Sequence, residues 1–242
     1  MPAIKTNTAA NSAVRYLNLN SAQESSALSK LSSGSRITSA SDDAAGLAIS
    51  TRISSDVTTL QQAATNASQA TSILQTADGG ASNISDILAR MKSLASESAS
   101  GTTTNSSRAY INSEFTQLSS EIDSIASGTR YSSQSLLDGS SVFASGVAVL
   151  VGSQASDTIT ITLSSLTATS LGVNVTGTGA LDVTTQAGAT TALTTLDSAS
   201  NQVSAARADI GAQESRFNFS ADSISTQTQN LESANSAIKD VD

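Results

Sequence analysis

Leu196, Val203, Ile210, Phe217, Ile224, Leu231 and Ile238 follow one another at intervals of seven residues without a break. An apolar residue repeated at this interval gives a helix one buried stripe along its whole length, so the run predicts a long helix with partner helices beside it. The second row of the stripe, Ala199, Ala206, Gln213, Ser220, Gln227 and Ala234, is small or polar. Such a row is loose in a two-stranded zipper and suits a bundle or a polymer contact.

The partners are predicted in the first half of the chain. One row of apolar or small residues includes Ile53, Val57, Leu60 and Leu74, passes through Ala77 and Gly79-Gly80, and resumes at Ala81, Ile84, Leu88, Met91 and Ala95. A further row is Ile111, Phe115, Leu118, Ile122 and Ile125. Helices with this 4-3 spacing pack at about +20° with a left-handed supercoil. At about 1.5 Å per residue, a helix from Ala44 to Ala99 is on the order of 80 Å long. The predicted class is therefore mainly α, a long rod-like helical bundle or coiled coil.

The period changes from helical to two in one place. Val147 to Val151 and Thr158 to Leu163 read as strands, the latter with Ile159, Ile161 and Leu163 on one face and threonines on the other. Gly152 to Asp157 is the hairpin loop between them, and Val173 to Thr176, followed by Gly177-Thr178-Gly179, is read as a further short strand. No Lys or Arg occurs between Arg130 and Arg207. This segment is read as a small β insertion between helical arms, with a disordered Ser/Thr linker as the alternative.

Local signals set the other boundaries. Ser41, Asp42 and Asp43 supply capping side chains for a helix that starts near Ala44. Gly101 to Asn105 and Gly128 to Arg130 are read as loops. Residues 1–33 carry the row Val14, Leu17, Ser21, Leu28, Leu31 among many polar neighbours. That segment is expected to need a partner.

Composition narrows the function. Aromatic residues make up 3% of the chain and Trp is absent, which leaves little bulky side chain for a globular core. The only proline is Pro2, so none interrupts a helix. A net charge of −8 without clustered Lys and Arg argues against nucleic acid. Neither a secretory signal nor a run long enough for a membrane span is present, so no membrane partner is expected and export would need a dedicated route. With no His and no Cys, an imidazole base, a thiolate nucleophile, a disulfide and an ordinary zinc site are all excluded. The remaining acids and lysines form no catalytic constellation, so neither enzymatic activity nor a cofactor is expected.

Three stretches resemble a known family. Leu31 to Ile49, with Gly34, Arg36, Asp42, Asp43 and Gly46, is similar to the N-terminal signature of bacterial flagellins. Ser72 to Gly79 is similar to a second part of that region, and Arg207 to Asn218 resembles the C-terminal motif. Val151-Gly152 with Thr158 to Ile161 resembles the family's hairpin.

The resemblance implies a filament subunit whose N- and C-terminal segments pair. It implies an N-terminal inner-core arm and spoke at 1–41, N-terminal rod helices at 42–138, a small β insertion at 139–189 and a C-terminal rod helix at 190–242. Flagellins usually continue past a segment like Ala237 to Asp242 into a C-terminal inner-core arm, which this sequence is expected to lack. The implied partners are other flagellin subunits, an export chaperone and cap or junction proteins. The implied location is an extracellular swimming filament, reached through the flagellar type III system without a cleaved signal peptide. A hook-filament junction protein and a secreted coiled-coil adhesin are the alternatives. Finally, Leu88, Arg90 and Leu94, with Glu114 on the next helix, resemble the segment of flagellins that Toll-like receptor 5 reads. Ala89 and Ser93 differ, standing where stimulatory flagellins usually carry Gln and Glu.

Overall fold

The computed structural model describes residues 7–176 and 180–241. Its elements are α1 (Thr8–Ser33), α2 (Ala44–Ala99), α3 (Asn105–Gly128), β1 (Arg130–Tyr131), β2 (Gln134–Ser135), α4 (Val142–Ser145), β3 (Val147–Leu150), β4 (Thr158–Ile161) and α5 (Gln186–Lys239). Two compact units are formed, one from Met1–Gln61 with Ser225–Asp242 and the other from Gln62–Ile224.

In the first unit, α1 starts where the Asn7 side chain accepts the amide of Ala10 and stops at Gly34, whose φ of 67° closes the last turn. None of its residues is buried: Val14, Leu17, Leu28 and Leu31 are all exposed. The link to α2 is held by polar contacts instead. Asp42 accepts the amides of Thr38 and Ser39 at 3.1 and 3.0 Å and pairs with Lys30 at 3.2 Å. Asp43, one residue on, caps α2 by accepting the amide of Gly46 at 2.9 Å.

The end of α5 is tied to this link. The Arg36 guanidinium donates to the carbonyl of Ile238 at 2.6 Å, its amide donates to Lys239, and Ser35 bridges Asp240 in antiparallel fashion. Further along, the buried Ser50 hydroxyl donates to Asn235 Oδ1 at 2.6 Å. Small and amide side chains thus fix the register between helices that have few large apolar groups to interlock.

The second unit contains the main core. Leu74, Ile84, Leu88 and Met91 of α2 meet Phe115 and Ile122 of α3 and Leu196, Val203, Ile210 and Phe217 of α5 in one buried cluster. Buried alanines at 67, 70, 77, 81, 199 and 206 lie among them and let the helix backbones come close. Asp78 pairs with Arg207, and Lys92 with Asp197. Residue numbers rise on α2 as they fall on α5, so the two run antiparallel. Gly80 has no room for a side chain: an added Cβ would run into Thr129 Oγ1 and would lie 2.8 Å from Leu137 Cδ1 and 2.9 Å from Thr129 Cγ2.

The β segment agrees with the sequence in one hairpin and departs from it elsewhere. β3 and β4 pair antiparallel with Val147 opposite Ile161 and Leu150 opposite Thr158. Ile161 and Leu163 are buried on the predicted face. The peptide of Thr162 does not extend the ladder, because the Gln213 side-chain amide of α5 accepts its N–H at 2.9 Å and donates to its carbonyl at 3.0 Å.

Val173 to Thr176 is not a strand. Gly172 turns the chain with φ of 71°, and Val173 is drawn into the core with its amide donating to the carbonyl of Ala168 at 2.8 Å, so that the run joins no ladder among the described residues. Gly177 to Gly179 lie outside the described residues. The loop read at Gly128 to Arg130 instead opens a second small hairpin, β1–β2, whose turn residues Ser132 and Ser133 have φ of 48° and 68°. The usual sequence signals for such a turn are Asn-Gly, Asp-Gly and Gly-Gly, and Ser132-Ser133 is none of these.

Candidate functional site

The helix seam is the first candidate. Of its predicted members, Leu60, Leu74, Leu88, Met91, Phe115, Ile122, Leu196, Val203, Ile210, Phe217 and Ile224 are buried. Ile53, Val57, Leu118, Leu231 and Ile238 are half-buried. All except Leu118 of the half-buried set belong to the Met1–Gln61 and Ser225–Asp242 unit.

The second candidate is the patch around Arg90. Arg90 Nε and Nη2 both donate to Glu114 Oε1, at 2.8 and 2.6 Å, so the pair joins α2 to α3. The two side chains remain 55% and 45% exposed, which leaves the second carboxylate oxygen and part of the guanidinium open to a partner. Leu88 and Leu94 are placed differently, at 0% and 3% exposure in the core. The four residues therefore do not form one surface. Helical spacing carries the leucines into the seam and leaves Arg90 and Glu114 outside, beside the exposed Ala89 and Ser93.

Several groups were not singled out from the sequence. Arg108 is buried and donates to the carbonyls of Ser98 and Ser100 at the end of α2. Glu214 of α5 lines an open groove of about 420 Å³ together with Asp78, Ser85, Ser204, Arg207 and Gly211. There Arg207 Nε and Nη2 hold Asp78 Oδ1 and Oδ2 at 2.8 and 3.2 Å, a fork matched to a carboxylate. Asp78 and Arg207 stand in two of the recognised stretches, but 129 positions separate them, and no local spacing shows that they meet. Among the described residues no group of His, Cys, Asp and Glu is arranged to hold a metal ion. None of the described helices is long and apolar enough to cross a membrane.

Comparison with known proteins identifies what these helices belong to. The profile of the bacterial flagellin N-terminal helical region matches residues 4–142, and that of the C-terminal helical region matches residues 193–242. The chain belongs to the bacterial flagellin family. A flagellin of Halalkalibacterium halodurans is 35% identical over 99% of the chain and 86% of its own length. The flagellar filament 30.7 kDa core protein of Treponema maltophilum is 34% identical over 94% of the chain and 82% of its own length. The crystal structure of Bacillus cereus flagellin aligns with a TM-score of 0.57 at 30% identity, over 71% of this chain and 94% of that one. A putative flagellar hook-associated protein from Vibrio parahaemolyticus aligns over 82% of the chain with a TM-score of 0.63, but at 17% identity it shares the fold alone.

The chain is accordingly a structural filament subunit of the flagellum that polymerises with other flagellin subunits, and its place is the extracellular filament. The junction-protein and adhesin alternatives are not favoured.

Proposed function

We propose that the chain assembles through the division of labour that the flagellin resemblance implies. Residues 1–41 serve as inner-core arm and spoke, 42–138 and 190–242 as the rod, and 139–189 as a small insertion. The observation that carries this reading is the contrast between two apolar rows. The α5 row from Leu196 to Ile224 is consumed inside the subunit, whereas the α1 row of Val14, Leu17, Leu28 and Leu31 is exposed and available to other copies. An apolar row exposed along a whole helix gains burial on assembly at about 25 cal/mol per Å². Export proceeds through the flagellar type III route with a chaperone, and cap and junction proteins receive the subunit at the filament. The filament serves swimming motility. The chain acts as a structural element and carries no catalytic machinery, in keeping with its lack of His and Cys.

Seeded polymerisation tests this reading. Subunits added to short filament seeds should elongate them, and Leu17→Asp with Leu28→Asp should abolish elongation while leaving the melting of the α2–α5 core unchanged. Elongation by that double variant at the parental rate would refute the assignment of α1.

A second reading, recognition by Toll-like receptor 5, is favoured by the exposed Arg90–Glu114 pair. An arginine anchor at the centre of an interface typically costs 2 kcal/mol or more on truncation. Arg90→Ala should therefore weaken binding to the receptor ectodomain by about thirtyfold or more. Equal affinities of parent and variant, measured by surface plasmon resonance, would dismiss this reading.

A further inference from the structure

Glu214 occupies an unusual position among the acids of this chain. Its Oε1 is buried without a hydrogen-bond partner, and it stands one heptad beyond Arg207 on the same flank of α5. Arg207, the cation of this groove, is already engaged by Asp78 through Nε and Nη2, and Glu214 meets the Asp78 charge without a hydrogen-bonded counter-charge of its own.

Among the described residues the surroundings offer no other compensation. α2 carries no charged residue between Asp56 and Asp78, and beyond Asp78 its next is Asp86, a further acid. The chain from Thr158 to Leu181, which reaches α5 through Thr162 and Gln213, contains no charged residue at all. On α3, Asp123 is taken up by the amide of Ala168. On α5 itself, Asp209 and Arg216 are exposed. A carboxylate that is partly desolvated and faces a like charge favours its neutral form.

We propose that Glu214 makes the α2–α5 joint beside the Asp78–Arg207 pair proton-sensitive, so that protonation of its carboxyl tightens this joint and ionisation loosens it. Burial first, and the Asp78 charge second, hold the carboxyl above the ordinary glutamate value. An acid that binds its proton more tightly in the folded state adds stability below its unfolded pKa, and that stability is lost as pH rises through the folded value.

Two measurements on the full chain test it. In a carbon-13 titration, the Glu214 carboxyl should show a midpoint above that of a glutamate in a model peptide. In urea unfolding between pH 7.5 and 3.5, the stability of the parent relative to Glu214→Gln should rise on acidification, approaching tenfold in the folding equilibrium constant for each unit of midpoint displacement once the pH is below the unfolded glutamate value. Glu121→Gln, at an exposed position of α3, should keep the parental profile. A Glu214 midpoint at or below the peptide value, or identical pH profiles for the parent and Glu214→Gln, would overturn the proposal.

Discussion

The guanidinium of Arg108, on the first turns of α3, donates from Nε to the carbonyl of Ser98 at 2.9 Å, near the end of α2. The last carbonyls of a helix have no partner within it and carry partial negative charge. A buried arginine set against them, with a further bond to Ser100 at 2.9 Å and one to Asn105 Oδ1 at 3.0 Å, compensates its charge without a carboxylate and fixes the α2–α3 corner. The corner is fastened on its other side, where the Ser98 hydroxyl donates to the carbonyl of Val183 at 2.5 Å.

Arg108→Met keeps most of the volume and removes the donors. It should cost about 2–3 kcal/mol, since carbonyls that have lost a charged donor remain away from water. Urea unfolding measures this cost, and a loss below about 0.5 kcal/mol would show that water replaces the guanidinium. Arg108→Lys should recover only part of the loss, because one ammonium cannot reach all three acceptors in the same fork.

Phe217 is the largest residue of the α5 row and is fully buried. Phe217→Ala should open a cavity and cost about 3–5 kcal/mol. Ser215→Ala, at an exposed position two residues earlier, should stay within about 0.5 kcal/mol. Equal midpoints for the two variants in denaturant would contradict the placement of the row.

Much of this arrangement was legible because helix burial repeats with a period that sequence displays directly. The α5 row, the α2 row through Gly79-Gly80 and the Ile159–Ile161–Leu163 face needed no partner to be identified. Arg108 was not legible, since an arginine near a loop looks the same whether its guanidinium turns to water or to a helix end. Val173 reads as part of a strand because two valines flanking a polar residue satisfy the period of two. What decides its state is the turn at Gly172 and the bond of its amide to Ala168, neither of which the period displays. Leu88 and Leu94 show the same limit at the Arg90 patch, where the resemblance groups residues by motif and the fold sorts them by face.

The glycine pair in α2 gives a test with opposite signs at adjacent positions. At Gly79 an added Cβ meets nothing within 4 Å, so Gly79→Ala should stabilise by about 0.5–1 kcal/mol through lower backbone entropy of the unfolded chain. At Gly80 the same methyl enters the space of Leu137 and Thr129, and Gly80→Ala should destabilise by about 1–3 kcal/mol. Thermal unfolding of the two variants in parallel decides the matter. A gain at both positions would mean that the β1–β2 corner yields instead of pressing on α2.

The last prediction concerns Asp42, whose carboxylate organises the turn before α2. Its Oδ2 accepts the Thr38 hydroxyl at 2.9 Å and the amides of Thr38 and Ser39, while Oδ1 faces Lys30. The Thr38 hydroxyl first, and then Lys30 and the Thr38 amide, hold the carboxyl well below the usual carboxylate range. An acid depressed in the folded state contributes order that is fully present above its unfolded pKa, near 3.9, and is lost as pH falls through the folded value. The Asp42 carboxyl resonance should therefore stay flat from pH 7 down to about 3, where that of a model peptide has already moved. Asp42→Asn should raise hydrogen exchange at the amides of Thr38 and Ser39 at neutral pH, because a neutral amide oxygen accepts more weakly than a carboxylate and releases Lys30. That difference should shrink in strong acid, once the parental carboxyl is itself neutral. A parental resonance that titrates with the peptide would mean that the Thr38–Asp42 turn opens in solution and that α2 relies on the Asp43 cap alone.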